Sequence, residues 1–202
     1  AQASTWMRAL RWSDNGLTVA LDERAGVSWT VDATTGRPVR TSTRTTDREI
    51  STCAPCHSRR AQIAEGYRPG LPFSDFYSPV TIAAGLFHVD GQQQDEVYTH
   101  TSFRQSRMNH AGVTCSDCHD PHSARLRATG NTLCAQCHVP SQYDSPAHHR
   151  HPTGTAGTSC VACHMPERTY MLIDPRRDHS LRVPRPDLSV SLGVPNACRS
   201  CH

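Results

Sequence analysis

The sequence contains no lysine, few aromatic residues and no long apolar run. All 21 basic residues are arginines, and only 6% of the residues are aromatic. Only 36% are hydrophobic, so side-chain burial alone would offset little of the conformational entropy that folding removes. No segment reaches the roughly 18 apolar residues that a membrane helix needs. The sequence therefore predicts no membrane span and no ordinary hydrophobic core.

The charge of the chain is small and evenly spread. The formal net charge is +3, and the arginines are scattered along the chain instead of forming a basic stripe. Nucleic-acid binding is therefore not expected. Arginine forms planar, two-pronged pairs with carboxylates, which suits a partner or bound group that carries carboxylates.

The first ten residues lack the charged start and apolar run of a signal peptide. The chain begins without methionine and stops at His202, the last residue of a motif. We expect from these ends that the chain is a processed form or a piece of a longer protein.

Residues 1–50 differ from the rest because they contain neither cysteine nor histidine. Segments 17–21, 27–31 and 39–43 have the residues of short strands, and a turn signal precedes the last one. We expect a small β-hairpin region in residues 1–50.

Residues 51–202 hold every cysteine and histidine of the chain. Short helices are predicted at 58–65 and 103–111, each closed by a glycine. Asn131 and Asn196 are expected to cap the turns that follow them.

All ten cysteines fall in five Cys-x-x-Cys-His motifs. Two thiols three residues apart can form thioethers with the vinyl groups on one edge of a porphyrin, and the next histidine can bind its iron as proximal ligand. The sequence therefore predicts five haems c. The predicted thioether residues are Cys53, Cys56, Cys115, Cys118, Cys134, Cys137, Cys160, Cys163, Cys198 and Cys201, and the predicted proximal ligands are His57, His119, His138, His164 and His202.

A Cys-x-x-Cys pair can also be half of a zinc site or a redox disulfide. Both alternatives are disfavoured because a histidine follows all five pairs and no cysteine is left over. The predicted fold is mostly irregular, with short α-helices wrapped around stacked haems that replace the missing apolar interior.

Eight histidines remain for the second face of each iron, more than the five that are needed. This surplus favours two histidine ligands per iron, and hence electron carriage, over an open iron that binds small molecules. His122 follows a proximal histidine by three residues, and Asp178 could orient the ring of His179. His148 and His151 would share a face if a helical turn forms there. The favoured distal ligands are His88, His110, His122, His151 and His179; His148, His149 and His100 are weaker candidates, and Met108, Met165 and Met171 are alternatives.

Several long stretches resemble a known family: CAPCHSRRAQI, GLFHVDGQ, AGVTCSDCHDPHS, SCVACHMPERTYM, RRDHSLRVPRPDLS and PNACRSCH. The sequence from about Gly16 resembles the C-terminal haem region of multihaem cytochromes fused to tetratricopeptide repeats. It is more distantly similar to the cytochrome c nitrite reductase and hydroxylamine oxidoreductase superfamily. The resemblance implies a periplasmic or extracellular location, and it supports His88, His122, His151 and His179 as distal ligands.

The resemblance leaves three functions open. The first is electron transfer through five closely packed haems, with redox proteins or further copies of the chain as partners. The second is an oxidoreductase that acts on small nitrogen or sulfur compounds. Its nitrite reductase version, which often uses a lysine-containing motif, is excluded because the chain has no lysine. The third is a subunit of an extracellular cytochrome filament or other homo-oligomer.

Overall fold

The computed structural model describes residues 21, 23–24, 26–121, 123 and 125–202. In this part of the chain the secondary structure consists of short helices, short 3-10 segments and two-stranded antiparallel sheets. The α-helices are α1 (Arg48–His57), α2 (Thr99–Arg104), α3 (Arg107–His110), α4 (Cys115–Cys118), α5 (Pro140–Tyr143), α6 (Pro146–His149), α7 (Cys160–His164) and α8 (Pro186–Leu192). The strands are β1 (Trp29–Val31), β2 (Pro38–Arg40), β3 (Arg60–Gln62), β4 (Tyr77–Pro79), β5 (Glu167–Tyr170) and β6 (Asp174–Arg177), and the 3-10 segments are Phe73–Asp75, Gly130–Gln136, Ala156–Thr158 and Ala197–Ser200.

A β-hairpin precedes the first motif, as the strand signals predict. β1 pairs with β2 in antiparallel register, Trp29 opposite Arg40. The carboxylate of Asp32 accepts hydrogen bonds from the backbone N–H groups of Thr34 and Thr35 at 3.1 and 2.6 Å, and this Asx turn reverses the chain. Of the further strand expected at 17–21, only Leu21 lies within the described residues, and it is not in a strand.

The prediction of a helix at 58–65 is wrong, because this segment is extended and contains strand β3. Ser58 is extended with φ −131° and ψ 146°, and β3 then pairs with β4. The backbone N–H of Arg59 donates to the Val97 carbonyl at 3.3 Å, which ties this segment to a distant part of the chain. Such tertiary pairing outweighs a weak local helix preference.

The helix predicted at 103–111 is present as two shorter helices, α2 and α3. The helix is interrupted before Ser106. The hydroxyl of Ser106 accepts a hydrogen bond from the Asn109 N–H at 3.0 Å and caps α3. Gly112, with φ +99°, follows the second helix. This is the left-handed conformation that glycine adopts without strain.

The buried part of the chain is small and contains many polar groups. Serine, threonine, asparagine, glutamine and carboxylate side chains are buried beside the few apolar ones. Within the described residues the buried apolar side chains are Ile50, Ala54, Phe73, Phe87, Val97, Phe103, Tyr170 and Val194. This composition agrees with the sparse core that the sequence predicts, and none of the described helices has the length and apolar character to cross a membrane.

Candidate haem-binding sites

Each of the five motifs forms a helical or 3-10 turn. The first occupies the end of α1, the second is α4 and the fourth is α7, whereas the third and fifth lie in or follow the 3-10 segments Gly130–Gln136 and Ala197–Ser200. Residues three apart in a helical turn are neighbours on one face. The turns therefore place the two thiols of each motif side by side, as attachment to one porphyrin edge requires.

The motif turns are capped by polar side chains. Thr114 and Asp117 form a capping box around α4, and the Asn196 side chain accepts a hydrogen bond from the Cys198 N–H at 3.0 Å, as predicted. Asn131 does not cap the turn that follows it, although the sequence predicts that it does. It lies inside its 3-10 segment, and its Oδ1 accepts from the Cys160 N–H of the next motif at 3.0 Å.

The first two motifs are in direct contact. The Glu49 carboxylate, buried in α1, accepts hydrogen bonds from the backbone N–H and the hydroxyl of Ser116 at 2.6 and 2.8 Å. The thiols of Cys53 and Cys115 also interact, and a hydrogen bond from Cys115 lowers the pKa of the Cys53 thiol. The first and second motifs are therefore nearest neighbours.

The other motifs follow in chain order. Burial raises the pKa of the Cys137 thiol to about 11, and Asp117 and Cys118 of the second motif raise it further. The thiols of Cys134 and Cys160 interact between the third and fourth motifs. Burial raises the pKa of the Cys163 thiol, and the nearby Cys198 thiol of the fifth motif adds to this. Each motif is thus close to the next one along the chain.

Three motif histidines each face a histidine from outside the motifs. The ring centres are 6.4 Å apart for His119 and His179, 6.1 Å for His148 and His164, and 5.8 Å for His151 and His202. A metal binds imidazole nitrogen at about 2 Å, and each nitrogen is about 1 Å from its ring centre, so one iron between two imidazoles would separate the ring centres by about 6 Å. These pairs therefore fit an iron held between two axial histidines.

Backbone carbonyls orient several of these rings. The Nδ1–H groups of His164 and His179 donate to the carbonyls of Arg182 and Arg177 at 2.7 and 2.8 Å, and Nδ1 of His151 donates to the His149 carbonyl. A proton on Nδ1 leaves the lone pair on Nε2 for a metal. Burial lowers the pKa of His179, and the adjacent His119 lowers it further, which favours the neutral form that binds metals.

His148 and His151 do not share a helical face as expected. Helix α6 ends at His149, and Arg150 has a positive φ of 61°. This turn sends His148 toward the fourth motif and His151 toward the fifth. His148, a weaker candidate in the sequence, is therefore placed as well as the stronger candidate His151.

His57 and His88 line two cavities that share two lining residues. The cavity at His57 has a volume of about 260 Å³ and includes Cys56, and the cavity at His88 has about 390 Å³ and includes Arg168. Gln93 and Arg176 line both cavities. Nη1 of Arg168 lies 3.1 Å from Nε2 of His88, so Arg168 would have to withdraw before this nitrogen could bind a metal.

His138 contacts the edge of Tyr143, with ring centres 5.2 Å apart. Burial lowers the pKa of His138, and the nearby His164 and His148 lower it further. The third motif is therefore close to the fourth. The predicted distal ligand His122 lies outside the described residues.

Three other candidates have different surroundings. The His100 ring packs against Phe73 with centres 5.2 Å apart, and burial lowers its pKa to about 4. Nε2 of His110 is 3.2 Å from the Arg104 carbonyl, and Nδ1 of His149 accepts from the His151 N–H at 3.2 Å. Within the described part of the chain, none of these three rings contacts the ring of a motif histidine.

The described residues contain neither a cluster that could bind a metal ion directly nor a disulfide. No group of three or more histidine, cysteine, aspartate or glutamate side chains in the described part is placed to hold a metal ion directly. The ten cysteines, all of which are described, are free thiols.

The comparisons with known proteins point to cytochromes. A family model described as cytochrome c7 and related cytochrome c matches residues 121–202, which contain the last three motifs. Together with the motifs, this match supports a multihaem c-type cytochrome. The fold is similar to the crystal structure of the outer cell wall cytochrome OcwA, with a TM-score of 0.56 and 20% identity over 80% of this chain and 50% of that one. The chain thus spans about half the length of that cytochrome, and no curated protein matches the sequence.

Proposed function

We propose that the chain is an electron carrier that holds one haem c at each of its five motifs. The observation that carries this proposal is the set of three ring pairs, each joining one motif histidine to one other histidine. Two histidines per iron occupy both axial positions, which favours electron carriage over binding of a substrate at the iron. A bound haem would supply an iron that alternates between the ferric and ferrous states.

We assign the three ring pairs as axial ligand pairs. His119 and His179 would hold the haem of the second motif, His164 and His148 that of the fourth, and His202 and His151 that of the fifth. The 6.4, 6.1 and 5.8 Å separations of the ring centres support this assignment.

The two other motifs have candidate ligands. For the first motif we propose His88 opposite His57, because the cavities that these residues line share Gln93 and Arg176 as lining residues. For the third motif, His122 remains the candidate that its position in the sequence suggests. Arginines at the His88 cavity suit the carboxylates of haem propionates.

The closeness of consecutive motifs supports a wire-like arrangement. Consecutive motifs are joined by side-chain contacts, such as Glu49 with Ser116 and Asn131 with Cys160. Cysteines are exposed at the first and last motifs, at Cys56, Cys198 and Cys201. We therefore propose that electrons enter and leave near these two ends. The c-type attachment and the likeness to an outer cell wall cytochrome favour a periplasmic or extracellular location.

The decisive experiment counts the haems and examines their irons. The chain is expressed in a host that attaches haem c, and its haem content is measured by intact mass and by the pyridine haemochrome assay. We expect five haems per chain, a low-spin ferric spectrum and no CO binding after reduction. Far fewer than five haems would refute the proposal, and a high-spin iron that binds CO would favour the oxidoreductase alternative.

A further inference from the structure

We propose that Arg182 is a positioning residue for the proximal histidine of the fourth motif, and that it helps to set the reduction potential of that haem alone. The inference rests on the proposed function, since it requires a haem iron bound by His164. The Cys-x-x-Cys-His pattern does not indicate a role for Arg182, which lies 18 residues after His164 in the sequence.

The backbone of Arg182 is joined to His164 at two points. The Arg182 N–H donates to the His164 carbonyl at 3.1 Å. In return the His164 Nδ1–H donates to the Arg182 carbonyl at 2.7 Å. Two hydrogen bonds between the same two residues fix both the position of the carbonyl and the plane of the imidazole ring. The ring therefore follows the backbone of Arg182.

The Arg182 side chain anchors that backbone to its own segment and to two others. Nε donates to the Ser180 hydroxyl at 2.9 Å, Nη1 to the Asp90 carbonyl at 2.7 Å, and Nη2 to the Gln105 side-chain oxygen at 3.2 Å. The guanidinium uses its fixed fork of donors to hold separate acceptors at once, which a lysine ammonium cannot do with the same geometry.

The site for the guanidinium is closely fitted. Gly91 has φ +85°, and a Cβ atom there would meet the Gln105 side-chain oxygen first and would lie 2.9 Å from Nη2 of Arg182. The absence of a side chain at Gly91 therefore leaves room for the guanidinium. Leu181, next to Arg182, has a positive φ of 51°. A non-glycine residue holds this conformation only where its surroundings enforce it, and the anchoring of Arg182 supplies that constraint.

The hydrogen bond at Nδ1 affects the iron through the ring. A carbonyl that accepts from Nδ1–H makes the imidazole a more basic ligand, and this stabilises the ferric state and lowers the reduction potential. If Arg182 is removed, the carbonyl loses its anchor and the hydrogen bond weakens. The potential of this one haem then rises. Loss of a positive charge by itself would move the potential the other way, so the two effects can be distinguished.

The test uses the holoprotein, with Arg182→Ala compared to Arg185→Ala. Arg185 is three residues away, is exposed, and forms an ion pair with the neighbouring Asp187. The control therefore removes the same charge from the same segment. The potentials of all haems are measured by spectroelectrochemical titration, and the ferric EPR signals are recorded at each step.

We expect Arg182→Ala to raise the potential of one haem and to alter one set of EPR g-values, with the others unchanged. Arg185→Ala should give no upward shift. The displaced transition is assigned with His164→Met, which should raise the potential of the same haem strongly because methionine ligation raises haem potentials. Equal potentials in the Arg182 and Arg185 variants would overturn the inference, as would a shift in a different haem.

Two milder variants keep the test decisive if Arg182→Ala does not fold. Arg182→Lys keeps the charge but loses the fork, and Gly91→Ala displaces the guanidinium and its acceptor Gln105 without changing Arg182. Both should raise the potential of the fourth-motif haem by a smaller amount, and unchanged potentials in both would overturn the inference. A wild-type chain that binds no haem at the fourth motif would instead disprove the proposed function, so the two failures are distinguishable.

Discussion

At the scale of single residues, the histidines show what sequence alone can and cannot predict. The five motif histidines are identified by their spacing, because covalent attachment requires it. The distal partners have no such local signal. His148 and His149 are adjacent and chemically identical, yet His148 has its ring 6.1 Å from that of His164 whereas His149 accepts a hydrogen bond from the His151 backbone. Successive residues of helix α6 point about 100° apart, so the position of the helix decides which of the two rings reaches His164.

These adjacent histidines give a matched pair of variants. We expect His148→Ala in the holoprotein to remove one axial ligand, which leaves one iron high-spin and able to bind CO after reduction. His149→Ala should leave every iron low-spin. Ferric EPR and CO difference spectra on both variants measure this. An unchanged spectrum in His148→Ala, or a high-spin signal in His149→Ala, would contradict the assignment of His148.

At the scale of elements, the motif turns are stabilised by side chains from other turns. Sequence signals are sufficient for local features such as the turn before β2 and the cap at Asn196. They were insufficient for β3, because its pairing with β4 depends on contacts made far along the chain. Asn131 has the residue type of a cap, but the turn that it caps begins at Cys160, 29 residues later.

This long-range cap leads to a prediction about stability. Besides Cys160, the Asn131 amide reaches the Thr158 carbonyl at 2.8 Å and the Asp144 carboxylate at 3.0 Å. Asn131→Ala should therefore lower the free energy of unfolding of the holoprotein by about 1 kcal/mol or more, which is typical for loss of a cap. Guanidinium unfolding monitored by circular dichroism measures the change.

The control for Asn131 is another amide in the same segment. Gln136 is exposed, and its side-chain amide donates to the Leu133 carbonyl within its own turn at 2.9 Å. Gln136→Ala should change the unfolding free energy by only a few tenths of a kcal/mol, as surface substitutions usually do. Equal losses in the two variants would show that the contact between the third and fourth motifs contributes no specific stability.

At the scale of the whole molecule, the polypeptide and its proposed haems depend on each other. The buried apolar side chains of the described part are few, and hydroxyl, amide and carboxylate groups lie buried among them. Chains with so little apolar interior usually need bound groups or covalent links to fold. The contacts between motifs, such as Glu49 with Ser116, would be made when the haems draw the motifs together.

Attachment and folding should therefore occur in a fixed order. Burial raises the pKa of the Cys137 and Cys160 thiols to about 11. In the folded chain these thiols would be protonated at neutral pH and poorly reactive. Haem must then be attached while the chain is still open, and folding follows. We expect the chain made without haem attachment to show no cooperative thermal transition, whereas the holoprotein shows one.

Calorimetry and circular dichroism on the two forms test this order, with all thiols kept reduced in the haem-free form. Addition of free haem to the haem-free chain should give as many thioethers under native conditions as in urea, as measured by the mass of the intact chain, because an unfolded chain leaves its thiols accessible in both. A haem-free chain that unfolds cooperatively would contradict the proposal that haem completes the core. More thioethers under native conditions than in urea would show instead that the folded chain presents its thiols to the porphyrin.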